Sequence, residues 1–354
     1  MTENTENQDE RIELTPGERA WRRFKANRRG YWSLWIFSIL FVLSLFAEVL
    51  SNDKPLIVHY DGGYYFPIFK FYSERQFGGD FDTEADYTDP YVKRLLRKGS
   101  NWVLYPLNHY SFNTINYFTM SPNPAPPSAD NLLGTDDRGR DVFARLIYGF
   151  RLSVLFAFVL TAIGIVVGVV AGAVQGYFGG RIDLYMQRVL EVWQSMPELY
   201  LLIIFASIFQ PSVLLLIVLL SLFGWMGLAD YVRAEFLRGR NMDYVEAARA
   251  LGVRRRAIMR RHLLPNSLTP LIVQGTLGIA TAILDAAALS FLGLGAQPEL
   301  PEWGVMLSAE RNQVFTAPYL VFYPGLAIMI TVLAFNLLGD GLRDALDPRL
   351  KNVR

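Results

Sequence analysis

A chain of 354 residues that is 52% hydrophobic and 14% aromatic, with a mean hydropathy of +0.21, is too apolar for a soluble domain of that length. The net charge of +1 conceals segregation: basic residues gather in a few polar blocks between apolar runs, a pattern of membrane topology and not of nucleic-acid binding. The absence of cysteine excludes a disulfide framework, a thiolate metal site and a thiol nucleophile.

Residues 1–29 are polar and carry Arg11, Arg19, Arg22, Arg23, Lys25, Arg28 and Arg29, which predicts a cytosolic N-terminal tail. The apolar run from Tyr31 to Leu50 is about 30 Å long as a helix, one hydrocarbon thickness, so 30–50 is expected to be the first transmembrane helix. A long polar leader and the lack of a small-x-small site after the run argue against a cleavable signal peptide. From Ser51 to Phe150 no stretch is apolar enough to cross. The aromatic cluster GGYYFPIFKFY, mixed charge and the proline-rich SPNPAPPSAD predict an extracytoplasmic loop or domain over 51–150. Contact with a substrate-delivering protein and a cap lying on the membrane surface are both open for it.

The second predicted span runs from Leu152 to about Tyr177. Gly164, Gly168, Gly172, Gly176 and Gly180 recur along it every four residues and make a flat stripe for close helix contact, with a partner subunit or within this chain. Arg181 and Arg188 precede a third span, Leu190 to Phe209, where Glu191, Gln194, Pro197 and Glu198 predict an irregular or kinked start. Gln210-Pro211-Ser212 forms a tight outer turn. The fourth span is Val213 to about Leu228, the fifth Thr269 to Leu294 and the sixth Tyr319 to Leu338, with an outer loop at 295–318 and a cytosolic tail at 339–354. The expected fold class is an all-α membrane protein of six transmembrane helices. Residues 151–338 then form a five-helix transport domain containing a cytosolic loop at 231–268.

Asp285 is the residue most out of place, because a carboxylate within a span is costly and usually faces a bundle interior or a water-filled path. Asp285 and Gln274 are candidates for a translocation path, with helix packing the alternative for both. Among the polar blocks, Asp243 to Pro265 (DYVEAARALGVRRRAIMRRHLLP) stands out. Asp243 is expected to cap a helix that starts at Tyr244, with Glu246 reaching back in a capping box. Tyr244, Ala247, Ala248 and Leu251 then share one narrow apolar face that needs a partner. Gly252 is expected to end that helix in a left-handed turn, and a second, basic helix from Arg254 to Leu264 to stop before Pro265. The density of arginine there forbids burial in a membrane.

No enzyme machinery is legible. GxxxxGK[ST], HExxH and GxSxG are all absent, and His59, His109 and His262 lie far apart. A transporter or channel working without an ATPase, and a membrane scaffold, are the rival readings at this level.

The order Glu246-Ala247-Ala248, three residues, Gly252, nine residues, His262-Leu263-Leu264-Pro265 resembles the EAA loop of ABC-importer permeases. His262 stands where the general pattern has isoleucine, as in the peptide-importer branch. Independently, LGTDDRGRDVFARLIYG, from Leu133 to Gly149, resembles the segment that precedes the transport domain in peptide-importer permeases. The resemblance implies a type I ABC-importer fold in which Asp243, Tyr244, Glu246, Ala247, Ala248, Leu251, Gly252 and Pro265 form the coupling surface for an ATPase. It implies a heterodimeric pore with a second permease subunit, two cytosolic ATPase subunits that bind ATP and Mg, and an extracytoplasmic peptide-binding protein. It further implies residence in the bacterial inner membrane with both termini cytosolic, and no cofactor, metal or nucleic acid on this chain. Residues 19–120 look like the branch that imports microcin C and related peptides. LSFLGLGAQPELPEWG and the tail look closer to the dipeptide and oligopeptide branch, and nickel chelates are a minor option.

Overall fold

The structure, a computed structural model, describes residues 15–346 except 118, 120 and 211. Arg11, Pro211 of the outer turn and the last part of the expected tail lie outside the described residues. The chain begins with α1 (Pro16–Ala26), opened by a capping box between Thr15 and Glu18, and α2 (Arg28–Leu45), capped by Asn27. The short α3 (Ala47–Leu50) follows. A small antiparallel sheet comes next, built of β1 (Ile57–Tyr60), β2 (Gly63–Tyr65) and, after α4 (Pro90–Leu96), β3 (Trp102–Leu104), in the order β2-β1-β3. Val58 pairs with Tyr65 on one side and Val103 on the other. Its side chain is fully buried with Phe77, Tyr87, Val92 and Leu96, which gives this segment a core of its own.

The remaining elements are α5 (Val142–Phe178), α6 (Gly180–Gln194), α7 (Glu198–Ile208), α8 (Val213–Ser221), α9 (Met226–Gly239), α10 (Asp243–Ala250), α11 (Arg255–Ile258), a π turn (Met259–Leu263), α12 (Leu264–Phe291), α13 (Trp303–Ala309) and α14 (Tyr319–Leu346). Among the described residues, four stretches are long and apolar enough to cross a membrane: Val142–Phe178, Val213–Gly239, Pro270–Phe291 and Tyr319–Leu346. A fifth results if α6 and α7, bent by 67° at Ser195 to Pro197, form one broken span. The bend falls where Pro197 and its polar neighbours led us to expect an irregular helix. The molecule is thus a mostly helical membrane protein with four to five apolar spans and a small N-terminal sheet. The first expected span, 30–50, is divided at Phe46, and α2 spends its first turn on Arg28 and Arg29.

Three boundaries move. α5 starts at Val142 instead of Leu152, because the buried Asp141 carboxylate accepts from the Ala144 N–H at 2.7 Å and caps the helix there. The helix therefore begins within the last turns of the 51–150 segment. α14 continues to Leu346, past the expected end at Leu338. α12 starts at Leu264, so Pro265 does not stop a helix; it sits in the first turn of α12, directly after the π turn from which that helix continues.

Asp141 also anchors the sheet-bearing segment, accepting from Asn108 Nδ2 and Asn131 Nδ2, each at 2.8 Å. Burial pushes its carboxyl up, against the pull of these donors. Arg151 of α5 makes a bidentate pair with Glu48 at 2.9 Å to each oxygen, fixing α3 to the same helix. The main apolar core joins α2, α5, α8, α12 and α14, with the Phe37 and Phe335 rings 4.5 Å apart.

The glycine stripe faces α9 of the same chain. A Cβ on Gly168 would lie 2.9 Å from the Trp225 carbonyl oxygen, on Gly172 2.4 Å from that of Ala229, and on Gly176 2.5 Å from that of Arg233. Gly164 faces Gly224 more loosely, at 3.5 Å, and Gly180 has open space beside it. Of the two readings of this stripe, packing within the subunit is the one the geometry supports for Gly168, Gly172 and Gly176. α6 is tied to the same pair through Asp183 and Arg233, which bond at 2.5 and 2.8 Å.

Candidate coupling site and transport groove

α10 begins at Asp243, and its N-cap is Met242, which offers no side-chain acceptor. The expected capping box is therefore not formed. Asp243 has entered the helix, where it and Glu246 complement the positive end of the dipole by charge alone. The apolar face also splits. Val245 and Ala248 are buried, packed with Val232, Phe236, Ile258 and Leu263. Tyr244 is 42% and Leu251 83% exposed, with Ala247 and Glu246 exposed beside them. Sequence reasoning placed Ala248 on the outward face and passed over Val245. The i, i+3 spacing of Val245 and Ala248 was the available signal for the inward one.

The end of α10 is as expected. Gly252 has φ +74°, its N–H donates to the Arg249 carbonyl at 2.9 Å, and the Val253 N–H donates to the Ala248 carbonyl at 3.1 Å, a Schellman closure. Beyond it the basic segment differs from a plain second helix. α11 lasts one turn, widens into the π turn and runs on as α12. The Asn266 amide donates to the Tyr244 hydroxyl at 3.1 Å and to the His262 carbonyl at 3.0 Å, seating α10 on the start of α12. Arg249 and Arg255 lie over the rings of Tyr177 and Phe178 at 5.4 and 6.0 Å, which joins the loop to the end of α5. The structure thus brings Asp243, Tyr244, Glu246, Ala247, Leu251 and Gly252 onto one exposed element, with Ala248 packed beneath it, while Pro265 is exposed on the first turn of α12.

Elsewhere, Asp285 and Gln274 lie about three turns apart on one face of α12. Both line a groove of about 240 Å³ with Thr161, Gly164, Gly224 and Thr281, at the loosest part of the α5–α9 contact. Glu198, on the first turn of α7, is the acidic neighbour of Asp285.

Apolar spans around a mostly apolar groove that holds Gln274 and Asp285, with a firmly seated helix presented at one end, are features of a membrane-embedded transport component. The chain belongs to the family of binding-protein-dependent transport system inner membrane components, whose profile matches residues 144–352. Residues 15–65 match the N-terminal transmembrane domain of oligopeptide transport permease C. The inner membrane ABC transporter permease protein YejE of Escherichia coli K12 is 47% identical over 336 residues, covering 95% of this chain and 98% of the relative. The peptidoglycan transport system permease protein YejE of Agrobacterium fabrum is 43% identical over 359 aligned positions, covering 94% and 93%. The dipeptide transport system permease protein DppC of Alkalihalophilus pseudofirmus is 43% identical over 226 residues, covering 64% and 74%. The protein is a multi-pass permease of the bacterial inner membrane, the non-catalytic component of an ABC transport system that works with an ATPase and a binding protein.

Proposed function

We propose that this chain is one of two permease subunits forming the pore of an ABC importer for peptides or peptide conjugates. α2 and α3 supply the first of six spans, and both termini and α10 lie in the cytosol. The second permease is a different chain, two ATPase subunits bind ATP and Mg, and a peptide-binding protein delivers substrate from outside. The names of the relatives, which include peptidoglycan and dipeptide transport, support substrates with peptide bonds.

The observation that carries this reading is α10. It exposes Tyr244, Ala247 and Leu251, yet is fixed beneath by Val245 and Ala248, closed by Gly252 and joined to α5 and α12. A helix that is firmly seated but apolar outward suits the transmission of force from a separate protein. Closure of the ATPases would move α10, and with it α5, α9 and α12, opening the groove lined by Gln274 and Asp285 to alternate sides. That requires the α10 contact to differ in free energy between states.

The test is purification of the complex in mild detergent and reconstitution with its binding protein, followed by uptake of labelled di- and tripeptides. ATP-dependent uptake, with an ATPase co-purifying, is the expected result. Uptake indifferent to ATP would overturn the reading.

A further inference from the structure

Glu310 follows α13 in the outer loop and is only 3% exposed. Its Oε1 accepts from the Asp137 N–H at 3.4 Å, while its Oε2 is buried without a hydrogen-bond partner among the described residues. A buried carboxylate oxygen left bare is costly, so something must occupy that position. The carboxylate oxygens of Asp136, Asp137 and Glu310 lie within 4.8 Å of one another. Asp136 is already committed: Oδ1 accepts from the N–H groups of Arg138 and Arg140 at 3.0 and 2.8 Å, and Oδ2 from Arg140 Nε at 2.7 Å. Arg145 Nε stands 3.7 Å from that same oxygen. Two buried guanidiniums thus balance Asp136 and oppose a divalent cation beside it, which leaves a pair of carboxyl groups, Glu310 and the exposed Asp137, with one position between them to fill.

We infer that Glu310 and Asp137 hold one proton between them and so form a pH-sensitive latch tying the 133–141 turn to the outer loop 295–318. Burial, together with the negative charge of Asp137 and Asp136, pushes the Glu310 carboxyl up to about 7. Other charged or titratable groups surround it, among them the Arg145 guanidinium of α5, whose charge is shared between Asp136 and Glu310. Arg138 and Arg311 are exposed, the Tyr319 hydroxyl on α14 donates to the Ala125 carbonyl at 2.8 Å, and Glu302 accepts from the Val305 N–H at the far end of α13. Because the folded value is raised, the contact is intact at lower pH and is lost as pH rises through about 7, when both carboxyls ionise and repel. On the orientation proposed above, the latch faces the extracytoplasmic side. The turn it holds caps α5, so loosening it frees the outer end of the helix whose inner end carries the Arg249 and Arg255 contacts.

The chain has no cysteine, so Leu132→Cys with Asn312→Cys, both exposed positions, gives a clean spin-label pair across the latch. In the detergent-purified full complex, electron paramagnetic resonance should give one short distance at pH 6 and a longer, broader distribution at pH 8, with a midpoint near 7. In Glu310→Gln, which cannot ionise, the short distance should persist at both values. This readout needs neither uptake nor ATP hydrolysis, so it stands apart from the importer reading. A wild-type distance indifferent to pH overturns the latch, as does a pH response that survives in Glu310→Gln. Restoration of the short distance at pH 8 by calcium, reversed by a chelator, overturns the proton as the occupant.

Discussion

Leu251 is a large apolar side chain at the end of a short helix that none of the described residues covers, at 83% exposure. Replacing it with Asp removes apolar area from the proposed ATPase contact and adds a charge there, and truncation at the centre of an interface costs about 2 kcal/mol or more, roughly thirtyfold in affinity. Leu251→Asp and Glu246→Lys should therefore uncouple ATP hydrolysis from uptake while the permease still assembles in the membrane. Unchanged uptake in reconstituted complexes of both would remove α10 from the coupling path. Asp285 makes a second prediction at this scale: Asp285→Asn keeps the shape of the groove but not its charge, and should change the rate of peptide uptake without lowering thermal stability. The converse result would place Asp285 in packing. These residues were legible because a charge in a span and an apolar face on a basic loop both break the local pattern. The division of labour between Tyr244, which looks outward, and Val245, which looks inward, had only the i, i+3 spacing of Val245 and Ala248 to signal it, because it depends on where α9 and α11 come to rest.

Helix pairs and turns carry the next set of consequences. Gly252 has open space around it, so Gly252→Ala would meet no clash and should cost only the left-handed backbone, about 1 kcal/mol, seen as a small fall in melting temperature. Gly172 is the opposite case. A Cβ there would lie 2.4 Å from the Ala229 carbonyl oxygen, so Gly172→Val must force α5 and α9 apart and should cost about 1–3 kcal/mol or more. Melting of the purified protein compares the two, and an equal effect would contradict the packing. The stripe itself was plain in the sequence from its period of four. Its partner was not, since a flat helix face fits any neighbour of matching shape, whether in this chain or another. The start of α12 was misplaced for a related reason. Pro265 reads as a stop, yet the π turn before it lets the backbone continue without the N–H that proline lacks.

At the scale of the whole molecule, the sheet-bearing segment and the spans are joined through buried charge. The side chains of Asp136, Arg140 and Arg145 are 5%, 7% and 2% exposed. Removing one partner of such a group leaves the others uncompensated, at about 3–5 kcal/mol. Asp136→Ala should accordingly lower the yield of folded protein sharply in size-exclusion chromatography, whereas Asp82→Ala, which breaks the exposed pair with Arg75, should leave it unchanged. The alternation of apolar runs and basic blocks made the membrane class and the order of most spans legible. It could not locate the beginning of α5, because the cap at Asp141 depends on Asn108 and Asn131 arriving from earlier in the chain.

α5 is one unbroken helix of 37 residues, about 55 Å long, and its notches receive backbone carbonyls of α9 at intervals of one glycine spacing. A small axial slip would drive those carbonyls against the side chains between the notches, so the two helices are geared. They must travel as a single rod, or jump a full tooth of about 6 Å. On the coupling role proposed above, a stroke delivered at the Arg249 and Arg255 end is carried across the bilayer by α5 and α9 together, and the 67° bend between α6 and α7 is a break beside that rod where it can be taken up.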